Sequence, residues 1–499
     1  MSNNKSQPKY PLIYDFTVTN NGLIIALILY QIIYTISALK GTAGDDLYAS
    51  LLGVSIRMIY ISFGAIFLLI SISIISLVRS LILDPICRLI RPRRYFPYTL
   101  GWRSIRFESP IKLHIFFGIM FVLWSIVHTN VAYFLYYYKH ENAILYDPNF
   151  YILKTGFTAF ALILVLAITT LPPIRNKFYE VFFYTHHLFI PITVVVIMHA
   201  KFYLFWKISI AIYVINKLLH LASIKTYSSN DITVNIINDQ KMQLIFPKKN
   251  TLFNDSASKN AFGKYMYVCC PQISPFQWHP FDLSGGRDQS SDTVLIGIKG
   301  TWTSKLLYKL GDSSSQNITL ITSRAFHSPH SHIFENNVAI LIAGGAGISP
   351  MIPIINRFIQ NFASSKTTPT LQNIHLVWIS RQAPEMILLD QVINDLVAAN
   401  LIDRVSVSIY QTGSRNKTSK ESEHVAEYTT KYHQISIFYE RPNIYDLYSK
   451  IILGYNHDQN IGIVSVGAVQ LTDNAKRLSV KWARDNKRAF RVNYYKATM

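Results

Sequence analysis

Four histidines stand in two long apolar stretches of this chain, His114 with His128 and His186 with His199. An imidazole is costly inside a bilayer unless it binds something, so two such pairs on helices of lipid length point to bound cofactors rather than to packing. Any one of these rings alone would read as hydrogen-bonded between helices, but four in matched pairs do not. Haem iron is the natural guest. The members of the pairs lie 14 and 13 positions apart, which at helical rise sets their rings about 20 Å apart along the membrane normal. Two b-type haems follow, one near each leaflet, each taking one ligand from each helix. With both axial positions filled, such iron has no open site for oxygen and works by passing electrons.

A spacing of 14 returns a helix to nearly the same face, whereas 13 leaves it far round, so the second pair needs a distorted helix. Pro191 lies between His186 and His199 and supplies a cause. His187 adjoins His186, which leaves the register open between them.

The elements that must carry these rings are stretches of roughly 20 apolar residues. Six are expected, near 22–39, 58–78, 112–138, 152–171, 179–200 and 202–222. Lys207 and Lys217 interrupt the last, although lysines near span ends can snorkel to the headgroups. Between the second and third spans lie Arg79, Arg88, Arg91, Arg93, Arg94, Arg103 and Arg106, a bias expected of a cytoplasmic loop. By alternation the loop with Asp45 and Asp46 faces away from the cytosol, Arg175 and Lys177 face it, and both termini lie inside. His114 and His186 then come near the inner face, His128 and His199 near the outer. Tyr136, Tyr138 and Trp206 read as interfacial belts.

Composition agrees with a membrane protein that has a soluble part. The chain is 50% hydrophobic and only 15% charged, while segments after residue 225 look globular. A net charge of +20 could mean nucleic acid, but much of it sits in short loops beside apolar spans, where it sets topology; no nucleic-acid partner is expected. Cys87, Cys269 and Cys270 form neither a disulfide framework nor a metal spacing, which fits a reducing cytosol. The first twenty residues lack the pattern of a secretory signal, so the first span is expected to do the targeting.

From 225 to 335, short alternating runs (TVNIIN, MQLIF, KYMYVCC, TVLIGIK) separated by polar turns predict a small antiparallel barrel. From 336 to 499 strands alternate with helical stretches: NNVAILIAGG, PMIPIINRFIQNFA, NIHLVWISR, a helix near 387–400, then RVSVSIYQTG. That predicts a parallel α/β sheet. The expected domains are therefore 1–222, 225–335 and 336–499. Polar stretches at 361–373 and 412–434 read as exposed loops. In AILIAGGAGISPM, a buried strand runs through a glycine turn into a helix, and Gly344, Gly345 and Gly347 allow phosphates to approach the backbone. Strand-glycine-helix turns also occur without nucleotide, and this one lacks the full dinucleotide fingerprint.

FYEVFFYTHHLFIPITVVVIMHA at 178–200 closely resembles the haem-bearing span of the ferric reductase and NADPH oxidase superfamily, and LGWRSIRF before the third span resembles a fungal branch. Within it the chain is most similar to the small yeast metalloreductase-like proteins, also described as yeast NADPH oxidases, over nearly its whole length. The resemblance implies six spans, two haems and a cytosolic flavin dehydrogenase, with His186 rather than His187 as ligand. It implies that the glycines followed by Pro350 form the nicotinamide-nucleotide turn. Arg381, in HLVWISRQ at 375–382, and Arg441, in RPN, are implied to meet a 2′-phosphate, pointing to NADPH. A surface arginine at a strand end is the plainer reading of Arg381.

GKYMYVCCPQISPFQWHPFDLSG at 263–285 resembles the FAD-contacting segment, through His279, Pro280 and Phe281. Asp282 replaces the usual Thr or Ser and brings a carboxylate toward an anionic cofactor; Lys299 and Arg287 are the compensators expected. Trp302 and Thr303 in GIKGTWTSKL also match. Other positions depart. ITSRAFHSPHSH at 321–332 stands where a Gly-Pro-Tyr-Gly turn is usual, Val466-Gly467-Ala468 stands for Cys-Gly-Pro, and KATM replaces a terminal aromatic. His327, His330 and His332 could hold a metal, but a Ser/His/Pro loop is ordinarily solvated.

The expected activity is a metalloreductase that moves electrons from NADPH through FAD and two haems to ferric or cupric ion across the membrane. Dioxygen, giving superoxide, is the alternative acceptor. A regulatory haem protein without hydride transfer is the competing class, motivated by Asp282, Val466 and the missing glycine turn. The plasma membrane and the endoplasmic reticulum both fit, and the sequons at Asn254, Asn317 and Asn416 should stay unmodified if the soluble half is cytosolic.

Overall fold

The computed structural model describes residues 45–71, 108–139, 150–200, 204–249, 262–285, 291–311, 318–327, 333–364, 368–381, 387–413, 434–486 and 490–498, with residue 74 and most positions in 28–40. The chain divides into two compact units, one of Thr17–Leu219 and one built on His220–Met499.

The first unit is helical. Its helices are α1 (Asp45–Leu69), α2 (Glu108–Lys139), α3 (Phe150–Thr170), α4 (Pro172–Lys177), α5 (Tyr179–His186), α6 (Phe189–His199) and α7 (Leu204–Ala222). Among the described residues, five stretches are long and apolar enough to cross a membrane: Leu47–Leu69, Ile111–Leu135, Tyr151–Thr170, Tyr179–His199 and Leu204–Ala222. Half of the span expected at 22–39 lies outside the described residues, and its described positions between 28 and 39 are helical. The one expected at 58–78 is corrected: the helix starts at Asp45, runs straight through Arg57 and ends at Leu69.

Local chemistry explains the breaks. Pro172 and Pro173, at the first two positions of α4, lack the amides needed to continue α3. Between α5 and α6 the backbone tightens to three-residue bonds: Leu188 N–H donates to Thr185 O at 3.0 Å and Ile190 N–H to His187 O at 3.1 Å. Pro191 has no amide to offer the His187 carbonyl, and Ile190 takes it one position early. The expected distortion is present.

Cross-helix contacts set the directions. Ser55 meets His128 while Ile66 meets His114, so α1 and α2 are antiparallel. Thr155 meets His199 while Thr169 meets Thr185, so α3 is antiparallel to α5 and α6. The core holds Phe63, Phe67, Phe121, Ile163, Ile192, Val196 and Trp206. Trp206 is therefore no interfacial belt residue: it is buried and its indole N–H donates to the Tyr60 carbonyl at 2.8 Å. Ile119, Leu123, Val194 and Met198 stay exposed, as a lipid-facing surface requires.

The second unit holds two antiparallel sheets and one parallel sheet. Strands β1 (Lys225–Ser228), β7 (Thr319–Thr322), β4 (Lys264–Cys269) and β5 (His279–Asp282) pair in that order, and β8 (Phe326–His327) also pairs with β4. Strands β2 (Thr233–Asn238), β3 (Lys241–Pro247) and β6 (Ser291–Gly297) form the other antiparallel sheet, linked to the first by a bridge between Leu283 and Val294. Met242, Leu244, Val268, Val294, Ile296 and Leu320 fill the space between, with Leu306 and Trp302 from α8 (Thr301–Gly311).

The parallel sheet has the order β12 (Ile435–Phe438), β11 (Val405–Gln411), β10 (Asn373–Ser380), β9 (Val338–Gly344), β13 (Asn460–Gly467), β14 (Arg491–Thr498). Helices α9 (Met351–Ser364) and α10 (Ile387–Ala398) pack in one core, α11 (Ile444–Ile452) and α12 (Val469–Asp485) in another. The sheet is covered on both faces, and strand order reverses between β9 and β13. The loop expected at 361–373 is corrected, because α9 continues through Ser364 and Leu371 is buried. Of the loop expected at 412–434, residues 414–433 lie outside the described residues, as do His330, His332, Arg287, LGWRSIRF, the arginine-rich loop and the three sequon asparagines.

Candidate electron-transfer sites

In the helical unit α2 and the α5–α6 pair bring the four histidines together as two facing couples. The rings of His114 and His186 have centres 6.2 Å apart with planes at 68°, and those of His128 and His199 are 6.1 Å apart at 84°. Two imidazoles on opposite sides of one metal ion, each with a nitrogen about 2 Å from it, hold their centres roughly 6 Å apart. The residues fit haem iron. Hydrogen bonds agree, since they engage the Nδ1 side of three rings: His114 with the Ile66 carbonyl at 3.4 Å, His128 with Ser55 Oγ at 3.3 Å, and His199 with the Ile152 carbonyl at 3.0 Å. His186 Nδ1 is buried with no partner among the described residues. His187 is exposed and its Nδ1 meets the Phe183 carbonyl of the preceding turn at 2.9 Å, while His186 is the ring paired with His114.

Beside the His128–His199 couple lies a cavity of about 510 Å³ lined by Phe121, Tyr133, Phe157, Phe160 and Trp206 among others, within the size range of cofactor sites. Gly156 borders it, and a Cβ there would fall 2.8 Å from His199 Cε1. Ser55, Thr155 and Gly156 were not legible as site residues. Their roles depend on facing a ring from a different helix, and no local pattern marks that.

In the antiparallel region β5 carries His279, Pro280, Phe281 and Asp282, and α8 brings Trp302 against them. The His279 and Trp302 rings are 4.2 Å apart and the Phe281 and Trp302 rings 6.3 Å apart. His279 Nε2 and Trp302 Nε1 are both buried without a hydrogen-bond partner among the described residues. Two orphaned polar atoms side by side suit a polar ligand such as FAD. Burial lowers the His279 pKa. Asp282 is half-buried, faces Tyr265 across the β4–β5 register, and has no ion pair among the described residues. Loss of solvent, rather than a neighbouring charge, pushes its carboxyl up to about 7. The expected repulsion toward an anionic cofactor is thereby weakened near neutral pH. Thr303 is occupied locally: its Oγ1 accepts from the amides of Lys299 and Gly300, both at 3.1 Å, closing the turn before α8.

The glycine turn sits at the carboxyl end of β9, where strand order reverses, the place at which doubly wound sheets bind nucleotides. Gly345 has φ of +56° and nothing within 4 Å of where a Cβ would lie, so bare backbone faces open space. Gly344 is close to Gly467, and Gly347 to Val466. Residues 345–348 form a short 3-10 turn before Pro350 and α9. Arg381 follows β10 and Arg441 follows β12; both are exposed on this same carboxyl edge. The turn is tied to the flavin-like strand by Ser349 Oγ donating to the Asp282 carbonyl at 3.3 Å, and Asn356 donates to the Gly285 carbonyl at 3.2 Å. Among the described residues no group of three or more His, Cys, Asp or Glu could hold a metal ion. His327 lies in β8, while its expected partners are outside the described residues.

Three family models match in chain order: the ferric reductase like transmembrane component over residues 81–197, the FAD-binding domain over 226–348 and the ferric reductase NAD binding domain over 336–480. Ferric reduction oxidase 4 of Arabidopsis thaliana is 28% identical over 346 residues, covering 66% of this chain and 48% of the relative. Ferric reduction oxidase 2 of the same plant is 30% identical over 294 residues, covering 57% and 39%. A superoxide-generating NADPH oxidase heavy chain of Dictyostelium discoideum is 24% identical over 351 residues, covering 64% and 49%. The chain spans about half or less of the length of these relatives. Carrying the transmembrane, FAD-binding and NAD-binding modules in that order, it belongs to the ferric reductase and NADPH oxidase superfamily.

Proposed function

We propose that this chain is a multi-pass membrane metalloreductase: residues 1–222 carry two b-type haems, 225–335 bind FAD, 336–499 bind NADPH, and ferric or cupric ion across the membrane takes the electrons. The observation that carries this reading is the pair of histidine couples, each about 6 Å between ring centres, on helices of membrane length. When bound, NADPH and FAD supply hydride transfer and haem iron supplies one-electron carriage. The chain's own residues do the rest. His114, His186, His128 and His199 would hold the two haem irons, which would supply one-electron carriage there. The bare backbone at Gly345 lets phosphates approach while Gly344 and Gly347 pack the turn against Gly467 and Val466, Pro350 opens the following helix, and Arg381 and Arg441 offer guanidinium groups to a 2′-phosphate. His279 and Trp302 present ring nitrogens beside Phe281, with Pro280, Lys299 and Thr303 holding the surrounding backbone.

Purified full-length protein in detergent should show a Soret band, two haems per chain, bound FAD and haem reduction on anaerobic addition of NADPH. Absence of the Soret band overturns the reading. Dioxygen is the alternative acceptor, and a superoxide-dismutase-sensitive signal without ferric reduction would select it. A regulatory haem protein is favoured by one observation, that Asp282 has no cation beside it among the described residues; haem without FAD would select that reading instead.

A further inference from the structure

Ser55 of α1 is fully buried, and its hydroxyl donates to the Leu52 carbonyl at 2.7 Å. Its one proton is thereby committed, so toward His128 Nδ1, 3.3 Å away, it can only accept. His128 must therefore carry its proton on Nδ1, which leaves Nε2 as the nitrogen with a lone pair for a metal. No other group among the described residues contacts that Nδ1. On the facing ring, His199 Nδ1 meets the Ile152 carbonyl at 3.0 Å and Thr155 Oγ1 at 3.3 Å. Thr155 is likewise committed as a donor, to the Tyr151 and Ile152 carbonyls.

The other couple is held differently. Among the described residues His114 has one longer contact of 3.4 Å, to the Ile66 carbonyl, and His186 Nδ1 is buried with none. An acceptor on Nδ1–H raises the basicity of the ligating nitrogen, which favours the more highly charged ferric iron and lowers the reduction potential. Resting on the haem reading above, we infer that Ser55 is a positioning residue that fixes His128 as an Nε2 ligand and depresses the potential of the haem held by His128 and His199, setting the two haems apart.

The test is a spectroelectrochemical titration of full-length Ser55→Ala beside the parent and Ser62→Ala. Ser62 lies two turns along the same helix, equally buried and with no partner for its hydroxyl among the described residues. Ser55→Ala should move one of two midpoints upward; a tenfold loss of preference for ferric iron is about 59 mV for one electron. Selective loss of one haem would support the inference equally, because removing such a partner weakens metal affinity about tenfold or more. Ser62→Ala should leave both midpoints in place. Two unmoved midpoints in Ser55→Ala, a common shift of both, or loss of both haems would overturn the role of Ser55. A parent protein with no Soret band would overturn the haem reading itself, a result distinct from any of these.

Discussion

A Cβ placed on Gly347 would lie 2.4 Å from the carbonyl oxygen of Val466. The turn after β9 and the end of β13 are therefore in backbone contact at the point where the parallel sheet reverses its strand order, and only glycine permits that approach.

Substitution at two neighbouring glycines should separate contact from conformation. Gly347→Ala must push the turn off β13, an overpacking cost of about 1–3 kcal/mol or more. Gly345→Ala meets open space and bears only the left-handed backbone, about 1–2 kcal/mol. Thermal unfolding should rank Gly347→Ala as the less stable, and NADPH affinity should fall with it. Equal melting temperatures would refute the contact.

Haem content should report the couples separately. His128→Ala or His199→Ala is expected to remove one haem of two, as is His114→Ala or His186→Ala, whereas His187→Ala retains both. Gly156→Ala should weaken the haem beside His199 about tenfold or more, because that ring is held by Ile152 and Thr155 and cannot retreat from the new methyl. Pyridine haemochrome assays on each variant check this.

Asp282 should impose a pH dependence of defined sign. Its folded pKa, about 7, lies above its ordinary value of 3.8, so the folded state binds the proton more tightly and stability falls as pH rises between those values. Asp282→Asn removes the buried charge. Its gain in melting temperature over the parent should be largest above pH 7 and vanish below about pH 4. A gain that grows toward acid pH would contradict the assignment.

Arg381 and Arg441 share the carboxyl edge of the parallel sheet. Arg381→Ala and Arg441→Ala should each raise KM for NADPH about tenfold, the scale of one lost charge-assisted contact, and leave KM for NADH unchanged. Steady-state kinetics with both nucleotides decides it, and equal losses with the two would remove the 2′-phosphate role.

Much of the architecture was legible because it rests on local pattern. The alternating runs at 225–335 became strands, and the strand-helix alternation after 336 became a parallel sheet. The second span was expected at 58–78, whereas α1 begins at Asp45 and carries Arg57 within the helix. Trp206 was read as an interfacial residue because indoles favour membrane edges, yet it packs against Tyr60 and Phe63 in the helix core. Neither outcome is visible without the neighbouring helices.

What the sequence by itself determined was the identity and spacing of the four histidines, the apolar length of their helices and the glycine turn, because periodicity and residue chemistry are properties of a single segment. Which ring faces which, that His186 rather than His187 meets His114, and that Ser55, Thr155 and Gly156 surround the second couple were decided only by tertiary structure. Hydrogen bonds and close contacts between helices join residues up to 146 positions apart, and their geometry exists only once the helices are packed.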